Sequence, residues 1–452
     1  MSVPPSQAHL SDPGSSGIEL QPGIPICQTD LPLDWYQPAF QPYAEEYLAL
    51  PDRTPESVLP WLDAYVEPAR EHFGPSLLLL AHYYMGGEIV KLVERYGGAV
   101  ADSYALALQA ARNPERKVIV ESAVHFMAEA VAILAHDDQN VWITNPKAGC
   151  TMEMLAKDYM VDPIADQLIE RYGDDLAVVA YMNTSGRLKA LAGRTGGAVC
   201  TSSNAHLVVE WVRAQGKKVL FVPDQHLGRN TAAKLGMDLS KLVTLPDPQV
   251  HAANYSLDDG TIEGGIPALD AADMILWGSY CGVHTIFKPE MVHWWKERGW
   301  EVHVHPESPL ETVQVADGSG STAYLWKKVM EAPRGAKLVI GTEGHFVRNA
   351  RSEAERRGVE VVHLADIPDE GFASAGCGCA TMSRNDPPHL AGMLDLLRKG
   401  EAPDINQVLA GDSVNEITAT RDRLSDEERK ELIGHARLSL ERMIEITEAG
   451  SR

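Results

Sequence analysis

From about residue 76 onward the chain alternates short apolar runs with helix-length amphipathic stretches, and that alternation sets the class of fold. Nine runs stand out, at 76–81, 117–121, 141–144, 176–182, 218–222, 274–277, 302–304, 338–340 and 359–364. Each is mostly apolar or β-branched and bounded by turn residues, the mark of a buried strand. Between most of them lie segments such as 87–95, 127–134 and 289–298 that are long enough for helices. Strand and helix in alternation predict an α/β protein whose parallel sheets are covered on both faces.

The flanks read differently. Residues 1–55, rich in Pro, Ser, Gly and Gln without a clear period, fit a flexible or wrapping leader. The stretch 236–272 carries several Pro, Gly and Asp residues and suggests an elaborated connection. Near the end, Ser425 and Glu428 have the spacing of a capping box that opens a helical tail. Cys150 follows the third predicted strand, Cys281 the sixth and Cys379 the ninth, at domain-sized intervals. This favours three small α/β units over one large sheet, at 56–155, 156–281 and 282–400, each closing on a loop that supplies a thiolate to a shared centre, with a helical tail at 401–452. No sequence repeat accompanies the threefold reading.

Composition narrows the chemistry. With 44% hydrophobic and 23% charged residues, the 452-residue chain has apolar material for several cores. The first twenty residues lack the basic-then-apolar order of a signal peptide, and no early apolar run approaches the length of a membrane span, so a cytoplasmic protein without a membrane anchor is expected. A formal net charge of −23 repels phosphate backbones at long range, which disfavours nucleic acid as a partner. Small anions remain possible ligands, because helix N-termini and hydroxyls bind them whatever the net charge. Six cysteines are too sparse for a secreted disulfide scaffold, which turns attention to metal or redox chemistry.

Polar residues cluster where strands end, the address at which open α/β sheets hold ligands. Ala81-His-Tyr-Tyr84 follows the first strand; Asp102-Ser103 precedes a helix, where either residue also suits an ordinary cap. His125-Phe-Met-Ala-Glu129 and Asn145-Pro-Lys-Ala-Gly-Cys150 follow the next two strands. Tyr181-Met-Asn-Thr184 ends another, and Cys200-Thr-Ser-Ser-Asn204 is a hydroxyl-rich turn in which Cys200 is read as packing and the hydroxyls as an anion seat. The polar density of Pro223-Asp-Gln-His-Leu-Gly-Arg-Asn230 is hard to explain by packing. Gly278-Ser-Tyr-Cys-Gly-Val-His284 sets Cys281 and His284 beyond a strand. In Val302-His-Val-His-Pro-Glu307, alternation puts His303 and His305 on one face, with Glu307 just past the strand as a general acid or base. Gly318-Ser-Gly-Ser-Thr322 makes a second anion seat. Gly376-Cys-Gly-Cys379 offers two thiols too close together for a usual zinc pair.

Taken in order, AHYY, the DS pair, HFMAE, AGC, YMNTS, CTSSNA, PDQHLGRN, the CxVH loop, VHPE, GST, IGTE and the C-x-x-M loop resemble the signature segments of quinolinate synthases. The resemblance runs from about Leu77 to Asn385 and returns in the tail. It implies three parallel α/β/α domains in pseudo-threefold arrangement around a 4Fe-4S cluster held by Cys150, Cys281 and Cys379, with one iron left open for Lewis-acid chemistry. It implies condensation of iminoaspartate with dihydroxyacetone phosphate, with loss of phosphate and water, to quinolinate for NAD biosynthesis. An L-aspartate oxidase or dehydrogenase would supply the iminoaspartate. By the same match His82, Ser103, Tyr181, Asn183, Ser202 and Thr322 bind substrate, while Tyr84, His305 and Glu307 are catalytic, Tyr84 and Glu307 moving protons. The chain departs from the family at Met85, Ala101 and Ser308, none of them an expected ligand or base. The CGC sequence leaves Cys377 as a rival to Cys379, and the match at Met382 and Asn385 favours Cys379. The alternative is an iron-sulfur dehydratase of the same scaffold acting on a related small dicarboxylate.

Overall fold

A computed structural model describes residues 31–250, 255–368, 379, 381–415, 418 and 420–450. The apolar runs become three parallel sheets. The first holds β1 (Leu77–His82), β2 (Ala99–Ala101), β3 (Val118–Ser122) and β4 (Asn140–Ile143) in the order β2-β1-β3-β4. The second holds β5 (Leu176–Tyr181), β6 (Ala198–Cys200), β7 (Lys218–Val222), β8 (Leu242–Thr244) and β9 (Met274–Leu276) in the order β6-β5-β7-β9-β8. The third holds β10 (Glu301–Val304), β11 (Gly318–Ser319), β12 (Lys337–Gly341) and β13 (Glu360–His363) in the order β11-β10-β12-β13. Every pairing within them is parallel. Each sheet starts the same way, with its second strand on one side of the first and its third on the other. Helices cross between the strands, so β1 and β5 are buried along their whole length.

The stretch 236–272 contributes β8 and a helix, Gly265–Ala271, to the second sheet's surroundings. Within 31–55, the helix Gln41–Leu48 docks on the helix Pro387–Lys399, with Phe40, Tyr43 and Tyr47 buried. Tyr43 donates to Asp395 at 2.7 Å, and Tyr36 bonds to Asp386. The tail helix Asp426–Gly450 opens on the capping box, Ser425 N–H donating to Glu428 and the Glu428 N–H to Ser425 Oγ. It packs against the helix Gly186–Arg194 so closely that a Cβ on Gly193 would collide with the His435 carbonyl. No helix of the described residues is long and apolar enough to cross a membrane.

One core position breaks the apolar rule. Glu121 in β3 is fully buried, and among the described residues neither carboxylate oxygen has a hydrogen-bond partner. Burial pushes its carboxyl up to about 8, so the folded chain keeps it protonated at neutral pH. The unfolded chain ionises near 4.5; between that value and about 8 the folded form holds the extra proton, and stability falls as pH rises. At about 1.4 kcal/mol per pKa unit the loss amounts to a few kcal/mol. Glu121→Leu is therefore expected to raise the urea midpoint at pH 8 far more than at pH 5; equal gains at both pH values would contradict the assignment.

Candidate active site

The carboxyl ends of all three sheets face one cavity, and its wall contains His82, Tyr84, Ser103, Cys150, Tyr181, Asn183, Ser202, Cys281, His305, Glu307, Thr322 and Cys379. His82 is the last residue of β1, and its Nδ1 accepts the Tyr84 N–H at 3.2 Å, turning the chain so that the phenol projects into the third unit. There the Tyr84 hydroxyl lies 3.0 Å from Thr342 Oγ1 and 3.3 Å from Thr322 Oγ1. Asp102 caps the helix Ser103–Ala107 by accepting the Ala105 N–H, which leaves Ser103 on the cavity wall. Ser321 caps the helix Thr322–Glu331 in the same way.

The polar centre is built across two units. Tyr181, at the end of β5, donates to Glu307 Oε1 at 2.6 Å, and His284 Nδ1 lies 2.7 Å from Glu307 Oε2. The other nitrogen of His284 is 3.0 Å from Thr342 Oγ1, and its ring stacks on His305 with centroids 4.5 Å apart. Burial raises the Glu307 carboxyl, but the neighbouring His305 and His284 and the Tyr181 hydroxyl outweigh it and hold it below the usual carboxylate range. Glu307 is thus held as a carboxylate. Burial lowers His82 to about 4, and it lowers His305 against the pull of Glu307. Burial, with the charge of Glu307, drives Tyr84 and Tyr181 well above the usual phenol range. The site therefore sets a carboxylate acceptor beside phenols that keep their protons.

Two donor sets overlap in this cavity. Ligand atoms of Cys281, His284 and Glu307 lie within 4.8 Å of one another, a grouping able to hold a metal ion. His284 and Glu307, however, already satisfy each other and reach Thr342 and Tyr181. Each thiol has one polar neighbour: Asn183 Nδ2 lies 3.8 Å from Cys150 Sγ, His284 Nδ1 3.2 Å from Cys281 Sγ, and Thr381 Oγ1 3.1 Å from Cys379 Sγ. Burial, then the nearby Cys379, pushes the Cys150 thiol up; burial, Glu307 and the other two thiols do the same to Cys281. Three thiols that line one cavity, two of them pushed up by burial and by their neighbours, are a donor set suited to a polycationic centre, whose charge would favour the thiolates. The residues present fit an iron-sulfur group.

The loops bearing two of these thiols are held alike. Asp224 caps the helix Gln225–Lys234 after β7, accepting the Leu227 N–H with Oδ1 and the Cys281 N–H with Oδ2. Glu343 caps the helix Gly344–Arg356 after β12, accepting the Phe346 N–H with Oε2 and the Cys379 N–H with Oε1. At the matching place after β3 stands apolar Val124, and the helix His125–Leu134 reaches the Cys150 loop through the His125 N–H, which donates to Ala148 O.

Sequence reading picked out Asp224, Thr342 and Glu343 only as members of the PDQHLGRN and IGTE segments, without a role of their own, and noted His284 only for its place. Their signals were a carboxylate or hydroxyl just after an apolar strand and a histidine three residues beyond a cysteine. His303 does not share the site with His305: it bonds to Glu301 and Tyr324. Strand β10 ends at Val304, so alternation no longer governs residue 305. Cys200 is a buried strand end. Cys27 and Cys377 lie outside the described residues.

Comparison with known proteins gives the family. Residues 69–419 match the family described as quinolinate synthetase A protein. A quinolinate synthase from Acidobacterium capsulatum is 36% identical over 408 residues, covering 89% of this chain and 95% of that protein. One from Streptomyces coelicolor is 39% identical over 365 residues (79% and 86%), and one from Corynebacterium glutamicum 34% over 421 residues (92% and 94%). The chain belongs to the quinolinate synthetase A family.

Proposed function

We propose that this cavity makes quinolinate from iminoaspartate and dihydroxyacetone phosphate, releasing phosphate and water, and that Cys150, Cys281 and Cys379 hold a 4Fe-4S cluster there. The observation that supports this best is the meeting of those three thiols with an ionised Glu307 in one cavity. When bound, the cluster supplies an iron without a protein ligand, a Lewis acid for a substrate hydroxyl or carboxylate. The chain's own residues do the rest. Ser103, Ser202 and Thr322, at or before helix starts, seat the carboxylates and phosphate together with Asn183. Glu307 takes a proton from the bound substrate, with Tyr181 and His284 fixing its two oxygens. Tyr84, kept protonated and held between two threonine hydroxyls, returns a proton to a leaving oxygen. His82 and His305 orient substrate by hydrogen bonds.

The curated relatives carry the name quinolinate synthase, which gives the dicarboxylate dehydratase alternative no support. We place the reaction in the cytoplasm, with iminoaspartate supplied by an L-aspartate oxidase or dehydrogenase. Anaerobically reconstituted protein given both substrates is expected to form quinolinate, read by mass spectrometry. A fully loaded cluster with no quinolinate would point instead to another dehydration on the same scaffold.

A further inference from the structure

The polar segment 223–230 finds its use in the helix Gln225–Lys234, which touches two parts of the site at once. Its cap Asp224 holds the Cys281 amide. Six residues on, about 9 Å along the axis at 1.5 Å per residue, Asn230 reaches into the third unit. Asn230 Nδ2 donates to the carbonyls of Pro306 and Ser308, each at 2.8 Å. Those carbonyls flank Glu307. Asn230 is buried, and its Oδ1 has no partner among the described residues. Turning the amide over would set that oxygen against two carbonyl oxygens, so the two acceptors fix its orientation.

The turn carrying Glu307 has modest support of its own. Pro306 has no N–H to donate, the Glu307 N–H reaches His305 Nδ1 at 3.4 Å, and the Ser308 N–H donates to His305 O at 3.0 Å. We propose that Asn230 is a positioning residue for Glu307: by clamping both flanking carbonyls to the helix that also anchors Cys281, it fixes the spacing between the thiolate site and the carboxylate. The inference rests on reading Glu307 as the proton acceptor, and it concerns a contact between units, since Asn230 follows β7 and Glu307 follows β10.

The test compares Asn230→Ala and Asn230→Asp with the parent, all reconstituted and full length. Alanine leaves the carbonyls to water, whereas aspartate faces them with a carboxylate. The expected result is a kcat per loaded cluster lower by about 10-fold for alanine and about 100-fold for aspartate, the scale of a misplaced catalytic group, with KM for both substrates and iron per chain near parental. A kcat within twofold of the parent in both variants, a loss confined to KM, or iron lost in step with activity would overturn the proposal. Hydrogen exchange judges the clamp without reference to the reaction: the Glu307 and Ser308 amides should exchange several-fold faster in Asn230→Ala while the amides of 282–284 keep the parental rate. Unchanged exchange at Glu307 and Ser308 overturns the clamp even if quinolinate is made; faster exchange in a protein that makes no quinolinate upholds the clamp and sinks only the proposed reaction.

Discussion

Glu307→Gln should keep its full complement of iron and lose at least about 100-fold in turnover, the usual worth of a positioned acid or base. The carboxylate accepts on both oxygens, from Tyr181 on one and His284 on the other. Glutamine keeps the shape and one acceptor, but its amide nitrogen must then face a group that also donates. The negative charge, favoured by the surrounding histidines and the phenol, disappears, and with it the capacity to take a proton. The change leaves all three cysteines in place, so cluster absorption reports separately on the metal site. Quinolinate formed per loaded cluster is the measurement that decides, and a rate within a fewfold of the parent would remove Glu307 from proton transfer.

What the sequence made legible depended on how far each feature was local. The long central strands β1, β5, β7 and β12 announced themselves because both faces are covered and their residues are apolar in succession. The flanking strands β2, β6, β8 and β11 span only two or three residues, too few for any period to show. The helix Gln41–Leu48 was obscured because its anchors, Phe40, Tyr43 and Tyr47, bury against a helix more than 340 residues away in sequence. At the site, residues were legible one strand end at a time. That Tyr181 from β5 should meet Glu307 beyond β10, or that Asp224 should hold the Cys281 amide, depends on how the sheets face each other. Glu121 shows the opposite limit: its position in an apolar run marks it as buried, but the sequence does not reveal that no partner awaits it.

Cys150→Ser, Cys281→Ser and Cys379→Ser should each lose most of the bound iron and essentially all quinolinate formation, while Cys27→Ser and Cys200→Ser keep both. A serine hydroxyl is isosteric with the thiol but stays protonated where a thiolate is needed, so one corner of the cluster loses its anchor. Cys200 is the internal control, a free thiol that is fully buried, yet it closes β6 and lies outside the cavity wall. The loops should respond unequally once a ligand is gone. Cys281 and Cys379 have their amides fixed by Asp224 and Glu343, so serine there leaves the backbone in place and the defect confined to the side chain. The Cys150 loop lacks such a carboxylate and reaches the neighbouring helix through Ala148 O, so Cys150→Ser should also loosen hydrogen exchange around 146–150. Iron and sulfide per chain, with the thiolate-to-iron absorption band, give the reading. Full iron in the Cys379 variant would transfer the third corner to Cys377, because two thiolates alone leave too few anchors for a cluster that must keep one iron open.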